Sequence, residues 1–501
     1  MNLKLRILVL VLVWISYSNI RAQLHPKREM RAVWIATVGN IDWPTSKELT
    51  TKQQQSEFIA ILEQVKQYNL NTVIFQIRPS ADAFYASKLE PWSQWLNGKQ
   101  GRAPEPYYDP LNFAIKECRK RGIDIHVWLN PYRAIADTSY KKKDTNHITR
   151  IHPEWFLTYG KTLYFNPGLE ESRNFVCTVV SDIVRRYNID AIHLDDYFYP
   201  YKIKDKEFPD SATFLSNSRG FSEDKKEDWR RDNVNLIIKQ IHDSLRSIKP
   251  WVEFGISPFG VWRNIDKDPL GSRTKAGQTN YDDLYADILK WQKEKWIDYI
   301  VPQIYWEIGK KVADYAIIAE WWSRFAYGTP LYIGQGIYRI NAKAKEKSWR
   351  TSKEICKQIK INRNYPNING SIFFSAKVLA KNPLKLKKRL LKDPYKFPAL
   401  PPLNSRIAQV LPLEPTNARI KLSGSSFTLS FKADSSSKSF VIYKFKKGKP
   451  ASIENPSAIF TVSSENSVSF AINKKNDPKK YMYAVTSLSK TNMESQAVIF
   501  E

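Results

Sequence analysis

The feature that most constrains the fold is an eightfold repetition of a strand-like run followed by a stretch with helical spacing. The runs are rich in Val, Ile, Phe and Tyr and lie at residues 31–38, 72–78, 124–130, 191–195, 253–259, 299–305, 331–337 and 371–376. Between them, apolar residues such as Phe58, Leu62 and Val65 recur on one face of a helix. Strands that alternate with helices predict a parallel sheet with helical crossovers.

Two architectures fit this repetition, a closed (β/α)8 barrel and an open doubly wound sheet. Eight repeats favour the barrel, and the chain lacks the glycine-rich dinucleotide-binding motif that accompanies many doubly wound folds. With 501 residues, 42% of them hydrophobic, the chain is long enough for a large barrel and a smaller domain. We therefore predict an α/β protein with a TIM-type barrel over residues 27–393.

Beyond residue 393 the pattern changes from helical spacing to alternation. A proline-rich segment at 394–413 predicts a stiff linker, and short β-rich runs follow at 427–431, 440–445, 458–462, 468–472 and 481–486. Turns rich in Ser, Lys and Asn separate these runs. The pattern predicts a small all-β sandwich over residues 414–501, similar to fibronectin type III or immunoglobulin-like modules.

The N-terminus has the pattern of a secretory signal peptide. Lys4 and Arg6 precede an apolar run at 7–15 that is too short to span a bilayer, and the small residue Ala22 follows. We expect a signal at 1–22 with cleavage near Ala22, and so a periplasmic or secreted protein; an uncleaved anchor is the alternative. No later segment is apolar enough to cross a membrane. The 3 cysteines lie in predicted helices and indicate buried free thiols.

Polar and aromatic side chains follow the C-terminal ends of the predicted strands, where TIM barrels carry their active sites. Because strand side chains alternate between two faces, Ile192 and Leu194 should face the helices, and His193 and Asp195 the barrel interior. The residues predicted to bind substrate are Asp42, Trp43, Gln76, Arg78, Asp82, Glu90, Trp92, Asn130, Tyr132, Arg133, His193, Tyr197, Tyr199, Arg263, Gln303, Tyr305, Trp306 and Gln335.

Carboxylates, amides, arginines and aromatic rings together are what glycoside hydrolysis uses. One carboxyl group donates a proton to the leaving oxygen, and a second acts as nucleophile or base. Asp195 or Asp196 is the candidate nucleophile or electrostatic stabiliser. Because adjacent side chains on a strand diverge, the second carboxylate is expected from another loop. Glu307 is the first choice as acid, and the other candidates are Asp42, Asp82 and Glu90.

Each candidate also has a structural interpretation. Asp195 could pair with an arginine such as Arg78. His126 and His193 lie on neighbouring strands near Asp195, which leaves a zinc site open as an alternative. We favour a hydrogen-bonded core histidine that orients Asp195, and predict no metal and no cofactor. Two further classes stay open: a non-catalytic glycan-binding protein on the same barrel, and a metal-dependent hydrolase.

Several segments, in order along the chain, resemble the bacterial glycosyl hydrolase-like 10 family. They are REMRAVWIAT at 28–37, NIDWP at 40–44, QIRP at 76–79, DAFY at 82–85, EPWS at 90–93, YDPL at 108–111, WLNPYR at 128–133, HLDDYFYP at 193–200 and PQIYW at 302–306. The resemblance spans the predicted barrel and implies a (β/α)8 fold, export and a glycoside hydrolase role. One branch is similar to enzymes that digest peptidoglycan glycan strands stripped of stem peptides. Glu307 follows PQIYW and lies outside the resemblance.

The net charge bears on the substrate. Lys and Arg number 78 against 50 Asp and Glu, a formal charge of +28, which favours a polyanionic partner. A predicted export signal argues against nucleic acid. Peptide-free glycan strands expose the lactyl carboxylate of each N-acetylmuramic acid, so we predict a peptidoglycan polysaccharide as substrate; a basic surface without this role is the alternative. The cations expected to meet those carboxylates are Arg78, Arg133, Arg263 and Lys377.

Overall fold

The computed structural model describes residues 25–140 and 143–501, so the predicted signal at 1–22 lies outside the described residues. Eight strands, labelled β1 to β8 in chain order, form the barrel. Their bounds are Met30–Ile35, Thr72–Arg78, Asp124–Leu129, Ala191–Leu194, Glu253–Ile256, Tyr299–Ile300, Leu331–Gln335 and Ile368–Phe373.

The eight strands close into a ring in sequence order. Each pairs in parallel with its neighbours in the chain, and β1 pairs with both β2 and β8. Alternation along the strands gives two apolar layers. Ile192 and Leu194 pack in the cluster beneath the helices, while Trp34 and Trp128 belong to a second cluster inside the barrel. The prediction of a closed barrel is confirmed, and the open doubly wound alternative is wrong.

Helices follow every barrel strand and cover the outside of the ring. The main ones, α1 to α9, are Thr51–Gln67, Pro110–Lys120, Glu170–Arg186, Lys226–Ile248, Ile288–Lys293, Tyr315–Arg324, Lys353–Asn362, Ala376–Lys381 and Leu386–Lys392. Their starts follow local chemistry: Thr50 and Gln53 form a capping box at α1, and Asp109 caps α2 ahead of Pro110. Cys118 and Cys177 lie in helices as buried free thiols, as predicted, whereas the free thiol of Cys356 lies in a helix but is only partly buried.

Several strand ends differ from the prediction; β1 and β5, for example, end at Ile35 and Ile256 rather than at residues 38 and 259. β6 is short, since Pro302 has no amide hydrogen to donate; beyond it Gln303 makes only isolated bridges with Phe259 and Gly334. β4 ends at Leu194, one residue before Asp195. The last strand begins at Ile368, earlier than the predicted residue 371.

The loop after β3 forms a small sheet that the sequence pattern did not reveal. Its three antiparallel strands are Arg133–Ile135, Phe156–Tyr159 and Thr162–Phe165. The strands are only three or four residues long, too short for a clear alternation. The sheet begins at Arg133 and so holds this side chain at the mouth of the barrel.

Beyond the barrel, the chain forms two antiparallel sheets. The first contains Thr416–Ser423, Ser426–Lys432 and Ser467–Ala471, and the second contains Ser439–Lys446, Ile459–Ser463, Tyr481–Leu488 and Val498–Ile499. Phe427 and Leu429 from the first sheet share a core with Ile442 and Val485 from the second. The five predicted strands are present with two more at the ends of the domain. Similarity to fibronectin type III or immunoglobulin-like modules stays a prediction.

The C-terminal domain packs against the N-terminal end of the barrel, away from the strand ends where the site was predicted. Lys438 Nζ lies 2.8 Å from Asp124, the first residue of β3, and 3.3 Å from Asp190, which precedes β4. Asn492 Nδ2 donates to Asp124 at 3.1 Å. The linker follows the same end, where Leu400 exchanges backbone hydrogen bonds with Lys27 and Glu29.

Within residues 25–140 and 143–501, no helix combines the length and the apolar character that a membrane crossing requires.

Candidate active site

A cavity of about 370 Å3 opens at the C-terminal end of the barrel strands. This size falls in the range of ~300–1,000 Å3 that is common for small-molecule sites. Its polar lining consists of Gln76, Arg133, Asp195, Asp196, Ser257, Gln303 and Arg339. Its aromatic lining consists of Trp34, Trp128, Tyr197, Tyr201, Phe259, Tyr305, Trp306, Tyr338 and Phe374.

Asp195 is held firmly at the floor of this cavity. Its Oδ2 accepts hydrogen bonds from Trp128 Nε1 at 3.0 Å and from Asn130 Nδ2 at 3.1 Å, and its Oδ1 accepts one from the Tyr197 amide at 3.3 Å. Burial raises the pKa of Asp195, while the positive charge of Arg133 and these donors act in the opposite direction. The carboxylate is therefore fixed in direction.

Asp196 lies beside it with fewer donors. The Tyr201 hydroxyl donates to its Oδ2. Burial, and then repulsion from Asp195, raise the pKa of Asp196 to about 7, against the lowering effect of hydrogen bonds from Tyr201 and Gln303. At neutral pH, Asp196 thus holds a proton part of the time, as a general acid requires.

Both side chains line the same cavity, against the expectation that adjacent side chains diverge here. Asp195 and Asp196 are the acidic residues in the cavity lining of the described chain. The physical reason is the end of β4 at Leu194. Beyond that residue the strict alternation of a strand no longer applies, so both side chains can turn into the same cavity.

Glu307, the predicted acid, is directed elsewhere. Its Oε2 accepts a hydrogen bond from Trp349 Nε1 at 3.0 Å, and its Oε1 lies 3.4 Å from Lys310 Nζ. It does not belong to the cavity lining. The structure gives Glu307 a role in joining the loop after β6 to the loop after β7.

Asp42 also holds the rim of the barrel together. Its Oδ2 accepts from the Ala36 amide at 2.8 Å, and its Oδ1 accepts from Ser375 Oγ at 2.7 Å and the Lys377 amide at 2.8 Å. These bonds join the ends of β1 and β8, the two strands that close the ring. The Asp42 carboxylate is used internally and lies outside the cavity lining.

Arg78 and Glu90 form a buried ion pair rather than substrate contacts. Arg78 Nε donates to both Glu90 oxygens at 2.9 Å, and its Nη1 donates to the Asn130 carbonyl at 2.6 Å. Asp82, whose pKa burial raises to about 7, accepts from the Ser80 amide and Gln100. The three residues stabilise the long loop after β2 from within.

The barrel histidines do not orient Asp195, which corrects the favoured interpretation of His193. His193 Nδ1 lies 3.0 Å from Tyr299 Oη and its Nε2 lies 3.0 Å from Ser257 Oγ, while His126 Nδ1 lies 2.8 Å from the same Tyr299 hydroxyl. Burial lowers the pKa of His126 to about 4 and that of His193 well below its usual range. No group of three His, Cys, Asp or Glu suited to a metal ion occurs among the described residues.

Other predicted binding residues lie at the correct end of the barrel but outside the cavity lining. Trp43 packs between Phe58 and Phe75, with both ring centroids 5.5 Å away. Arg263 forms ion pairs with Asp268 and Asp282. The rest of this group, which serve packing or hydrogen bonding elsewhere, are Trp92, Tyr132, Tyr199 and Gln335. Asn130 supports the site by its bond to Asp195.

The cavity does contain six other predicted residues, Gln76, Arg133, Tyr197, Gln303, Tyr305 and Trp306. Arg133 lies over the Tyr197 ring, with 5.4 Å from Cζ to the ring centroid. Gln76 accepts from the amides of Thr37 and Val38 through Oε1, and its buried Nε2 has no partner among the described residues. That nitrogen offers a free donor to a ligand.

The cavity also contains residues absent from the predicted set, namely Trp34, Trp128, Tyr201, Ser257, Phe259, Tyr338, Arg339 and Phe374. Strand alternation could have identified two of them. Trp34 points to the barrel interior with Ala32 and Ala36, and Trp128 points to the same side of its strand as Asn130. Most of the others lie beyond the strand ends, where alternation no longer predicts the direction of a side chain.

A parallel eight-stranded barrel with two carboxylates in an aromatic cavity at its C-terminal mouth belongs to the class of TIM-barrel proteins equipped for carbohydrate chemistry. Within that class, the chain belongs to the family described as Glycosyl hydrolase-like 10, which matches residues 29–351. The family predicted from the sequence segments is thereby confirmed.

Two relatives resemble most of the chain. "Glycosyl hydrolase YngK" of Bacillus subtilis is 43% identical over 487 residues, which cover 95% of this chain and 94% of the relative. "Glycosyl hydrolase DigH" of Escherichia coli is 36% identical over 374 residues, covering 70% and 84%. Both names carry the same activity class as the family.

Proposed function

We propose that this protein is a secreted or periplasmic glycoside hydrolase that cleaves glycosidic bonds in an anionic, N-acetylated glycan, with denuded peptidoglycan as the favoured substrate. The observation that carries the proposal is the placement of Asp195 and Asp196 in one aromatic cavity. One residue offers a fixed carboxylate and the other a carboxyl group that is partly protonated near pH 7.

The aromatic walls support a sugar ligand. Rings such as those of Trp34, Tyr305 and Phe374 present flat apolar faces to the cavity, and Tyr and Trp combine such faces with a polar edge. Gln76 and Gln303 add amides that can bind sugar hydroxyls. This combination of flat surfaces and sparse polar groups is typical of sites that orient a carbohydrate.

The charge supports an anionic glycan. The net charge is +28, and Arg133 and Arg339 bring positive side chains to the cavity itself. In peptidoglycan without stem peptides, each N-acetylmuramic acid carries a lactyl carboxylate that an arginine can bind through paired hydrogen bonds. Export through a signal at 1–22 would bring the protein to this polymer.

Purified full-length protein should release soluble sugar fragments from sacculi treated with an amidase, and little from untreated sacculi. Absence of fragments from these and other N-acetylated glycans would contradict the proposal. Binding without release would favour the non-catalytic alternative, and loss of release on adding a chelator would favour a metal-dependent hydrolase.

Arg133→Met tests the anionic part of the proposal. We expect kcat/KM to fall more on muramic acid-containing strands than on neutral chitooligosaccharides, because only the former carry lactyl carboxylates. The ratio of the two losses is the readout, since Arg133 also affects the charge of Asp195. An equal loss on both substrates would remove the argument for lactyl recognition.

A further inference from the structure

We propose that Asp195 and Asp196 catalyse cleavage with help from the substrate: Asp196 is the general acid, and Asp195 positions the substrate's own 2-acetamido group as the nucleophile. The inference rests on the proposed hydrolase function and narrows its substrate class. The sugar on the cleaved side must carry a 2-acetamido group trans to the glycosidic oxygen, as in a β-linked 2-acetamido-2-deoxyglucoside.

The cavity contains few carboxylates. Asp195 and Asp196 are the acids that line the cavity in the described residues. The remaining positions, 1–24 and 141–142, contain no Asp or Glu at all. Nearby Asp42, Glu90 and Glu307 are each bound to the protein's own donors. Among the described residues, no third carboxylate lines the cavity where a nucleophile would act.

The two acids stand on the same wall of the cavity. Their Cα atoms are ~3.8 Å apart as consecutive residues, so both side chains come from the wall at the end of β4. Across an eight-stranded ring, the wall that faces β4 is made by β8 and its neighbours. The cavity residues on that side are Trp34, Ala36, Val38, Ile41, Tyr338, Arg339 and Phe374, none of which is acidic.

This arrangement does not suit a carboxylate of the protein as the nucleophile. In the common mechanisms, the acid and the nucleophile or base flank the scissile bond from opposite sides. Here both carboxyl groups share one wall, and no acidic residue lines the facing wall among the described residues. Substrate-assisted hydrolysis is the alternative that requires no acid on the far side, because the acetamido oxygen attacks from within the sugar.

The two aspartates differ in the way this chemistry needs. Asp195 is fixed by donors from Trp128, Asn130 and the Tyr197 amide, so it can accept the acetamido N–H and orient the carbonyl toward C1. Asp196 interacts with fewer donors, the Tyr201 hydroxyl and Gln303, and can release a proton to the leaving oxygen.

The bonds and protons balance over two steps. First, the acetamido oxygen bonds to C1 while the C1–O glycosidic bond breaks, and the Asp196 proton passes to the departing oxygen. The resulting oxazolinium keeps its N–H against the Asp195 carboxylate. Water then adds to C1 and gives a proton to Asp196, and the ring C–O bond opens to restore the acetamido group. One water is consumed, and the anomeric configuration is retained.

The test uses full-length wild-type protein and β-linked oligosaccharides whose acetyl group is progressively fluorinated. Fluorine weakens the acetamido oxygen as a nucleophile, so kcat/KM should fall at least tenfold from acetyl to trifluoroacetyl. Proton NMR of the first product should show the β-anomer. A methyl thiazoline analogue of the cleaved sugar should inhibit competitively.

Variants separate the two roles. Asp195→Asn should lower kcat and weaken binding of the thiazoline inhibitor. The activity of Asp196→Ala should no longer depend on pH, and this variant should remain active on substrates with a good leaving group such as dinitrophenol. Asp243→Asn, an exposed carboxylate on α4, is the matched control and should behave as wild type.

Cleavage that gives the inverted anomer, or that ignores fluorination, overturns this inference and leaves the hydrolase proposal in place. Failure to cleave any N-acetylated glycan overturns both.

Discussion

Trp128 and Asp195 are joined across two neighbouring barrel strands, with the indole Nε1 donating to Asp195 Oδ2 at 3.0 Å. Trp128 lies on β3 and pairs in register with His193, two residues before Asp195. The barrel register therefore sets the direction of the carboxylate. A group held in this way needs little reorganisation when substrate binds.

Trp128→Phe should lower kcat/KM by at least about tenfold, because a hydrogen bond to a charged group contributes ~1.5–3 kcal/mol. The lost donor lowers the pKa of Asp195 in the wild type, so that pKa should rise and the acidic limb of the pH profile should move to higher pH. Trp43→Phe is the control, since Trp43 donates to the Gln54 carbonyl in the core. An unmoved acidic limb in Trp128→Phe would contradict the prediction.

Tyr201→Phe tests the role of Asp196 as the general acid. The Tyr201 hydrogen bond lowers the pKa of Asp196, which burial raises to about 7. Without it the pKa should rise, so the protonated acid should persist and the alkaline limb of kcat/KM should move to higher pH. The measurement is kcat/KM as a function of pH. The control variant is Tyr107→Phe, because the Tyr107 side chain is 66% exposed. A shift to lower pH would show that another group sets this limb.

Asp196 also makes stability depend on pH. Its pKa is near 3.8 when unfolded and about 7 when folded. Between these values the native state binds more protons than the unfolded state, so this contribution to stability is lost as pH rises through about 7. Asp196→Asn removes the effect, so its melting temperature relative to that of the wild type should rise between about pH 4 and 7 and stay level above that range. Calorimetry at several pH values checks this, and a constant difference would contradict it.

Glu307→Gln should keep most of the wild-type activity, since the amide oxygen can still accept from Trp349 and the residue lies outside the cavity lining. We expect kcat/KM within about threefold and a loss of stability near 1 kcal/mol. Kinetics and denaturant unfolding measure both quantities. A loss of about a hundredfold or more with the fold intact would restore Glu307 as a candidate acid.

Lys438→Met should destabilise the protein without changing its chemistry. The Lys438 side chain is only 5% exposed and neutralises Asp124 and Asp190 at the base of the barrel. Removing one partner of a buried ion pair costs roughly 3 kcal/mol. Thermal unfolding should show the loss, while kcat/KM of the folded protein stays constant. The exposed Lys447 supplies the control variant Lys447→Met, and equal stability of the two variants would contradict the prediction.

The sequence by itself determined the barrel, its eight strands and the end that carries the site. These follow from local periodicity, which strand and helix side chains display directly. The sequence also identified Asp195 and Asp196 as candidates, because both come directly after β4. The β-rich tail and the family segments were equally visible, since each depends on short stretches of chain.

Only the tertiary structure decided which polar residues face the cavity. Asp42 and Glu307 have the right chemistry and lie near strand ends, yet each is bound by a partner far away in sequence. Arg78 and Glu90 are bound to each other within the loop after β2. Conversely, Phe374 and Tyr338 reach the cavity through loops whose direction no alternation records. Partner choice depends on which loops meet after the ring closes, and that meeting is a property of the whole fold rather than of any segment.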